Sequence, residues 1–422
     1  MSEITEKVRR SLARRYRSEK RFKAYGIASV AVGLIALSIL FIDIVGKGHS
    51  AFFEHYLQLE VTLDREVLGI DDVTNKEQLD YANFSAVIKQ ALRERFPGVD
   101  DYEKKRQLYA LVSNGASYNL RSELIANPDL LGSTRNVWLL ADDDVDLFLK
   151  ANAKGREESR LSDLQQKWVE QFERSGDTDK RFNASLFTSG DSREPELAGI
   201  WSAVVGSFFT MIVTLCLSLP IGVAAAVYLE EFAPKNRFTD FIEVNINNLA
   251  AVPSIIFGLL GLAIFINLFG MPRSVPMVGG IVLTLMTLPT IIITSRASIK
   301  TVPPSVREAA LALGASKMQV VLHQVLPLAM PGILTGAIIG MAQALGETAP
   351  LLLIGMVAFI VDIPTSPMDA ATVLPVQIFL WAGSPEQSFV ALTSAAIMVL
   401  LAFLITMNTL AVLLRKRLER RW

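Results

Sequence analysis

The chain has 422 residues, 51% of them hydrophobic, with a formal net charge of −1. A single soluble domain is excluded by the apolar runs described below. The one cysteine, Cys216, excludes a disulfide within the chain. The three histidines (His49, His55 and His323) are too scattered for metal-ligand spacing. No GxxxxGK phosphate loop is present, so the chain itself is expected to bind no nucleotide, metal or other cofactor and to hold no catalytic residue. No nucleic-acid partner is expected either.

Hydrocarbon ~30 Å thick needs about 20 apolar residues per helix. Six segments qualify: Tyr25–Ile44, Ile200–Leu229, Leu249–Phe269, Pro276–Ser295, Gly332–Val357 and Phe389–Leu414. The fold class expected is an all-α multi-span membrane protein with an external α/β insert between the first and second spans. Nine Lys/Arg against three acids precede the first span, and five Lys/Arg against Glu419 follow the last. Short basic flanks stay in the cytoplasm, which puts both termini inside. Lys235, Arg237, Arg296, Lys300, Arg307 and Lys317 fall in the loops assigned to the same side. The first span is too long for a signal-peptide core and lacks a cleavage pattern, so it reads as a retained anchor.

Residues 1–45 are thus a basic tail and anchor, 46–198 an external domain, and 199–422 a five-span core. The external segment holds 28 acidic and 20 basic residues. Leu57–Leu63 alternates as a strand does. Phe84–Phe96, Tyr102–Ser113, Asp142–Ala151 and Ser159–Phe172 read as amphipathic helices, and Phe182–Thr188 as a second strand. Its acidity repels a free anion, so it either contacts another protein, encloses the opening, or is an ordinary solvated domain.

Residues 303–331 are a polar insert between apolar spans. Pro303-Pro304 stops the preceding helix. Ser305-x-x-Glu308 and Ser316-x-x-Gln319 are capping-box patterns. Val306, Ala310 and Leu313 share one helical face, Met318, Val321, Leu322 and Val325 the next, and Gly314 suits a left-handed turn. Pro327 and Pro331 close the insert. Such a helix pair is either a peg for docking into another protein or an amphipathic pair on the bilayer.

Gly332, Gly336 and Gly340, spaced by four, let another helix approach closely. Gly346 and Pro350 then break the fifth span around Glu347. An intramembrane carboxylate costs at least ~2.5 kcal/mol, so Glu347 either pairs with a neighbouring helix or lines a route.

The residues Glu308, Ala309, Ala310 and Gly314, followed by Leu326 and Pro327, resemble the EAA loop of ABC-importer permeases. Gln324, two before Leu-Pro, replaces the usual aliphatic residue. Gly346–Leu352 (GETAPLL) and Asp191–Trp201 resemble PstA, the A-type permease family of the phosphate-specific importer, over about residues 182–422. The resemblance implies that Glu308, Ala309, Ala310, Gly314, Ala315 and Ser316 dock an ATP-binding subunit. It implies a pathway or gate around Gln343, Gly346, Glu347, Thr348 and Pro350. Many members carry a basic residue where Gln343 stands; with no Lys or Arg deep in spans two to six, Ser/Thr and amide donors here and a partner's positive charge would compensate phosphate. The implied partners are a paralogous C-type permease, two ATPase subunits holding ATP and Mg, a periplasmic phosphate-binding protein, membrane lipid and inorganic phosphate. The implied location is the bacterial inner membrane, with residues 46–198 periplasmic. A permease for molybdate, sulfate or phosphonate shares the EAA loop. A membrane sensor is the reading of another class, disfavoured by cytoplasmic tails of about 24 and 8 residues.

Overall fold

The computed structural model describes residues 3–70, 76–152 and 160–418. The described chain begins with α1 (Glu3–Gly48), whose apolar stretch is almost wholly exposed and packs chiefly along the last helix. A 3-10 turn at His49–Phe52 leads into the insert. Its elements are β1 (Phe53–Thr62), α2 (Arg65–Leu68), α3 (Lys76–Tyr81), α4 (Phe84–Arg95), α5 (Tyr102–Tyr109), α6 (Ala116–Ala126), β2 (Thr134–Leu140), α7 (Asp143–Asn152), α8 (Asp163–Ser175) and β3 (Thr178–Phe182).

The three strands form an antiparallel sheet in the order β2-β1-β3. Leu57, Leu59 and Val61 of β1 point to one face and are buried under α4, α6 and α8. Period-two alternation puts them there. Asn83 caps α4 by accepting the Ala86 N–H at 3.0 Å. Ser162 and Gln165 form a capping box on α8, and Gly176 ends that helix at φ +77°.

Two sequence expectations for the insert need correction. The helix expected over Tyr102–Ser113 stops at Tyr109, because Val112 bridges Ala141 and the Ser113 N–H bonds the Leu140 carbonyl at 3.0 Å. The strand expected over Phe182–Thr188 ends where it was to begin. Asn183 Oδ1 accepts from the Leu186 N–H and the Ser185 hydroxyl, which closes a turn instead. Strand β2 and helix α6 had no clear pattern. The expected start of α8 at Ser159 lies outside the described residues.

The core follows. It comprises α9 (Trp201–Val227), α10 (Arg237–Ala250), α11 (Ser254–Gly261), α12 (Pro276–Lys300), α13 (Pro304–Ala312), α14 (Lys317–Val320), α15 (Leu326–Gly346), α16 (Ala349–Leu353), α17 (Leu374–Ala382) and α18 (Ser388–Leu418). π turns extend α9 over Tyr228–Phe232, extend α11 over Leu262–Leu268, and fuse α14 to α15 over Val321–Val325. Among the described residues five helices are long and apolar enough to cross a membrane, or six if α10 and α11 count as one span.

The expected third span, Leu249–Phe269, is not one straight helix. It bends by 99° at Pro253, leaving α10 across the bundle end and only α11 with its π extension along it. Proline disfavours helical backbone in the residue before it. The expected fifth span, Gly332–Val357, is displaced. One helical run covers Lys317–Gly346, and Pro327 and Pro331 lie inside it without ending it. The π turn widens the backbone at His323, whose carbonyl the Pro327 ring would otherwise strike.

Close contacts fix the packing. A Cβ on Gly280 would meet Val213, and one on Gly222 would meet Ile291, so α9 and α12 run parallel. Gly332 lies on Ser298, Gly336 on Thr294 and Gly340 on Thr287, so α15 runs antiparallel to α12. The most buried of the long helices is α12. Gly48 packs on Ser394 and Ala395 and Arg415 donates to Thr335, so the described N-terminal end of α1 and the C-terminal end of α18 lie at the end opposite the insert.

Candidate functional site

At the end of the bundle away from the insert, α13 and α14 project from the core. Gly314 turns the chain between them at φ +86°, and Ser316 with Gln319 makes the capping box on α14. The box expected on α13 does not form. Pro303 occupies the cap position and Ser305, exposed and already inside the helix, makes no cap bond. Pro304 presets the first helical turn in its place.

Glu308, Ala309, Gly314 and Ser316 are exposed, while Ala310 and Ala315 are half-buried against the core. No hydrogen bond or ion pair reaches Glu308 among the described residues. Leu313, read from the sequence as sharing one helical face with Val306 and Ala310, stands instead at the tip of the turn, 89% exposed. Met318 and Leu322 also point outward, and only Val321 and Val325 of their stripe are buried. The helix pair thus presents a carboxylate and a row of unburied aliphatic side chains beyond the body of the bundle. Helical phase explains the miss: α13 ends at Ala312, so Leu313 leaves the face that the periodicity assigned to it.

Near the other end, α15 stops at Gly346 and the backbone turns extended at Glu347 (ψ 127°) before α16 begins. Pro350 sits in the first turn of α16 and packs under α11, where a Cβ on Gly258 would lie 2.6 Å from Pro350 Cα. Gln343 and Gly346 are exposed, and Glu347 and Thr348 half-buried. The Glu347 carboxylate has no ion-pair or hydrogen-bond partner among the described residues. Gln343, Gly346 and Glu347 therefore share one face at a helix break, which irregular backbone adopts where it lines a cavity or meets protein.

Of the hydroxyls on α9 and α12, the buried threonines are already committed, whereas buried Ser202, Ser218 and Ser295 have no hydrogen-bond partner among the described residues. Thr210, Thr214, Thr284 and Thr287 are buried between α9 and α12, each donating to a carbonyl four residues earlier at 2.7–3.0 Å. They pack the two helices together. The open groove of about 760 Å³ beside α14 and α15 is lined by apolar groups such as Leu219, Val223, Phe232, Leu322 and Leu326. Neither feature offers charge compensation to an anion.

The insert meets the core at a second acidic region. Ser388 donates to Asp143 at 2.8 Å, and Asp142, Asp143 and Asp144 bring carboxylate oxygens within 4.8 Å of one another. Glu54, Asp146, Lys150 and Glu196 line a small cavity of about 40 Å³ there. Glu54 is buried, and its Oε1 has no hydrogen-bond partner among the described residues. Desolvation, reinforced by Asp146, pushes its carboxyl up to about 8.

Comparison with known proteins finds matches to two parts of the chain. Residues 218–422 match the family described as binding-protein-dependent transport system inner membrane component, and residues 9–158 match a domain of unknown function, DUF3333. The probable ABC transporter permease YqgI of Bacillus subtilis is 38% identical over 154 residues, which cover 36% of this chain and 52% of that one. Phosphate transport permease PstA of Haemophilus influenzae is 32% identical over 223 residues, 53% of this chain and 78% of that one. PstA 1 of Mycobacterium tuberculosis H37Rv is 30% identical over 223 residues, 53% and 71% respectively. The chain spans about half the length of YqgI and under four-fifths of these PstA relatives. Among solved structures, an inward-facing MetNI methionine ABC transporter chain aligns with 53% of this chain and 95% of its own, at TM-score 0.42 and 18% identity. With its apolar helix core, its projecting helix pair and these relatives, the chain belongs to the PstA family of ABC-transporter permeases.

Proposed function

We propose that this chain is the permease subunit of an ATP-driven importer that moves inorganic phosphate across a bacterial inner membrane. The observation that carries this reading is the exposed α13–α14 pair, with the Glu308 carboxylate free of hydrogen bonds and ion pairs among the described residues and Leu313 exposed, in a chain of the PstA family. Surface of that kind, at the bundle end carrying the basic tails, fits a cytoplasmic ATPase docking there through Glu308, Ala309, Ala310, Gly314, Ala315 and Ser316. ATP and Mg bind on that partner and none on this chain. Both termini are then cytoplasmic, and residues 46–198 face the periplasm, where a phosphate-binding protein delivers its cargo.

The core works by alternating access against a C-type permease. The face with Gln343, Gly346, Glu347 and Thr348 lines the seam between the two permeases, and Pro350 holds the break open. The threonine hydroxyls buried between α9 and α12 are spent on their own helices, and hydroxyls carry no charge, so the partner supplies the positive charge a phosphate needs.

The test is labelled phosphate uptake into proteoliposomes containing this chain, its co-expressed permease and ATPase, and binding protein. ATP-dependent uptake competed only by phosphate is expected. Transport of sulfate, molybdate or phosphonate instead would keep the permease and replace the substrate. Glu347→Gln is expected to lower uptake while leaving assembly intact, and wild-type uptake by that variant would remove Glu347 from the route.

A further inference from the structure

Helix α13 contributes no fully buried residue to the core; its apolar contact is through half-buried Val306 and Ala310. What fastens it is Arg307. Its Nε and Nη2 donate to Glu231 Oε1 at 3.0 and 2.7 Å. Its Nη1 and Nη2 also donate to the Val302 and Ile299 carbonyls at 2.6 and 3.0 Å. One guanidinium therefore joins α13 to the end of α9 and to the C-terminal carbonyls of α12. A cation suits that site, because the last carbonyls of a helix carry its negative pole. The pair is largely shielded from water, with 22% of the Arg307 and 14% of the Glu231 side chain exposed.

Consecutive carboxylates at the end of α9 serve different helices, because neighbouring residues on a helix do not share a face. Glu231 takes Arg307, while Glu230 takes Arg296 and Lys300 of α12, each at 3.5 Å. Arg296 also holds Glu243 of α10 at 2.5 Å. Four elements share one charge network, and α13 is joined to it by Arg307 alone among the described residues.

We infer that the Glu231–Arg307 pair is the strut through which movement of α13 reaches α9 and α12. This rests on the permease reading above. A push on the exposed α13–α14 pair loads Arg307, and its planar fork holds three acceptors at once, which a lysine ammonium cannot reproduce. The load passes to α12 and then to α15, whose Gly332 and Gly336 lie directly on Ser298 and Thr294. Helix α15 ends at the Glu347 break, so the strut connects the docking end to the proposed route.

The experiment uses the complete complex in proteoliposomes, carrying Glu231→Gln, Arg307→Lys, or the reversed pair E231R/R307E. ATPase co-purification, ATP hydrolysis and phosphate uptake are measured together. Expected are wild-type co-purification, continued hydrolysis, and uptake per ATP reduced by about ten-fold in each single variant, with no recovery in the reversed pair, which sets a carboxylate against the Ile299 and Val302 carbonyls. Wild-type uptake per ATP in both single variants overturns the strut. Loss of co-purification in the single and reversed forms alike also overturns it, because the pair would then only hold the docking surface in shape. A wild-type complex that hydrolyses ATP and moves no oxyanion removes the permease reading itself, and the strut with it.

Discussion

Trp381 donates its indole N–H to Asp191 across 2.9 Å, and both residues are buried. The bond ties α17, near the insert end of the core, to the segment that returns from the insert. Burial raises the Asp191 carboxyl above its ordinary range, and the indole works against that shift. Trp381→Phe keeps most of the apolar contact with Phe389 and Leu374 but removes the donor. The expected cost is about 0.5–1.5 kcal/mol, the net worth of one hydrogen bond, because Asp191 Oδ1 still accepts the Ser192 N–H at 3.0 Å. Thermal unfolding of the purified chain in nanodiscs measures it. An unchanged midpoint would show that the bond adds nothing.

Glu54 makes the insert sensitive to pH. Its carboxyl stands at about 8 against an ordinary 4.5, so the folded seam holds a proton that the unfolded chain releases. Stability from this group is greatest below pH 4.5 and declines as pH rises to about 8, above which it is flat. Asp142 and Glu196, each raised to about 7 chiefly by burial, act in the same direction at lower pH. Glu54→Gln carries no charge to desolvate and should flatten the decline between pH 7 and 8. Denaturant unfolding followed by tryptophan fluorescence across pH 5–9 tests this. A variant whose curve overlays that of the wild type would reject it.

The contact of Gly336 with Thr294 leaves no room for a side chain. A Cβ there would lie 1.9 Å from Thr294 Oγ1. Gly336→Val should lower stability by about 1–3 kcal/mol, as overpacking does. Thr294→Ala in the same chain should return part of the loss. Absence of any rescue would mean that the strain is relieved elsewhere.

Leu313→Asp should separate folding from docking. The side chain is so exposed that stability should change by no more than about 0.5 kcal/mol. Recovery of the ATPase subunit on the permease should nevertheless fall, as it should for Glu308→Lys. Unchanged co-purification in both variants would place the docking surface elsewhere.

Spans with simple apolar runs were legible in the sequence. For α1, α9, α12 and α18, hydrocarbon thickness alone requires the pattern. The capping box at Ser316 and the left-handed turn at Gly314 were legible because each depends on one residue's local chemistry. Errors came where backbone geometry departs from a regular helix. Pro253 bends the third span, and the π turn before Pro327 lets a helix continue where proline usually stops it. The strut was illegible because Glu230 and Glu231 look like two charges at the end of a span, and their partners Arg296 and Arg307 are distant in the sequence. Strand β2 was missed because Thr134–Asn136 carries little apolar alternation, and its place depends on pairing with distant β1.

The insert is joined to the rest of the chain in an unusual way. Phe53, the first residue of β1, is paired directly with Phe182, the last of β3, and the Asn183 N–H bonds the Phe52 carbonyl at 2.9 Å. The chain therefore arrives and departs through neighbouring strands, about 5 Å apart. In evolutionary terms this makes the domain a cassette. A lineage could gain or lose everything between those two phenylalanines in one genetic event, and a short turn would rejoin α1 to α9 without re-threading a single helix.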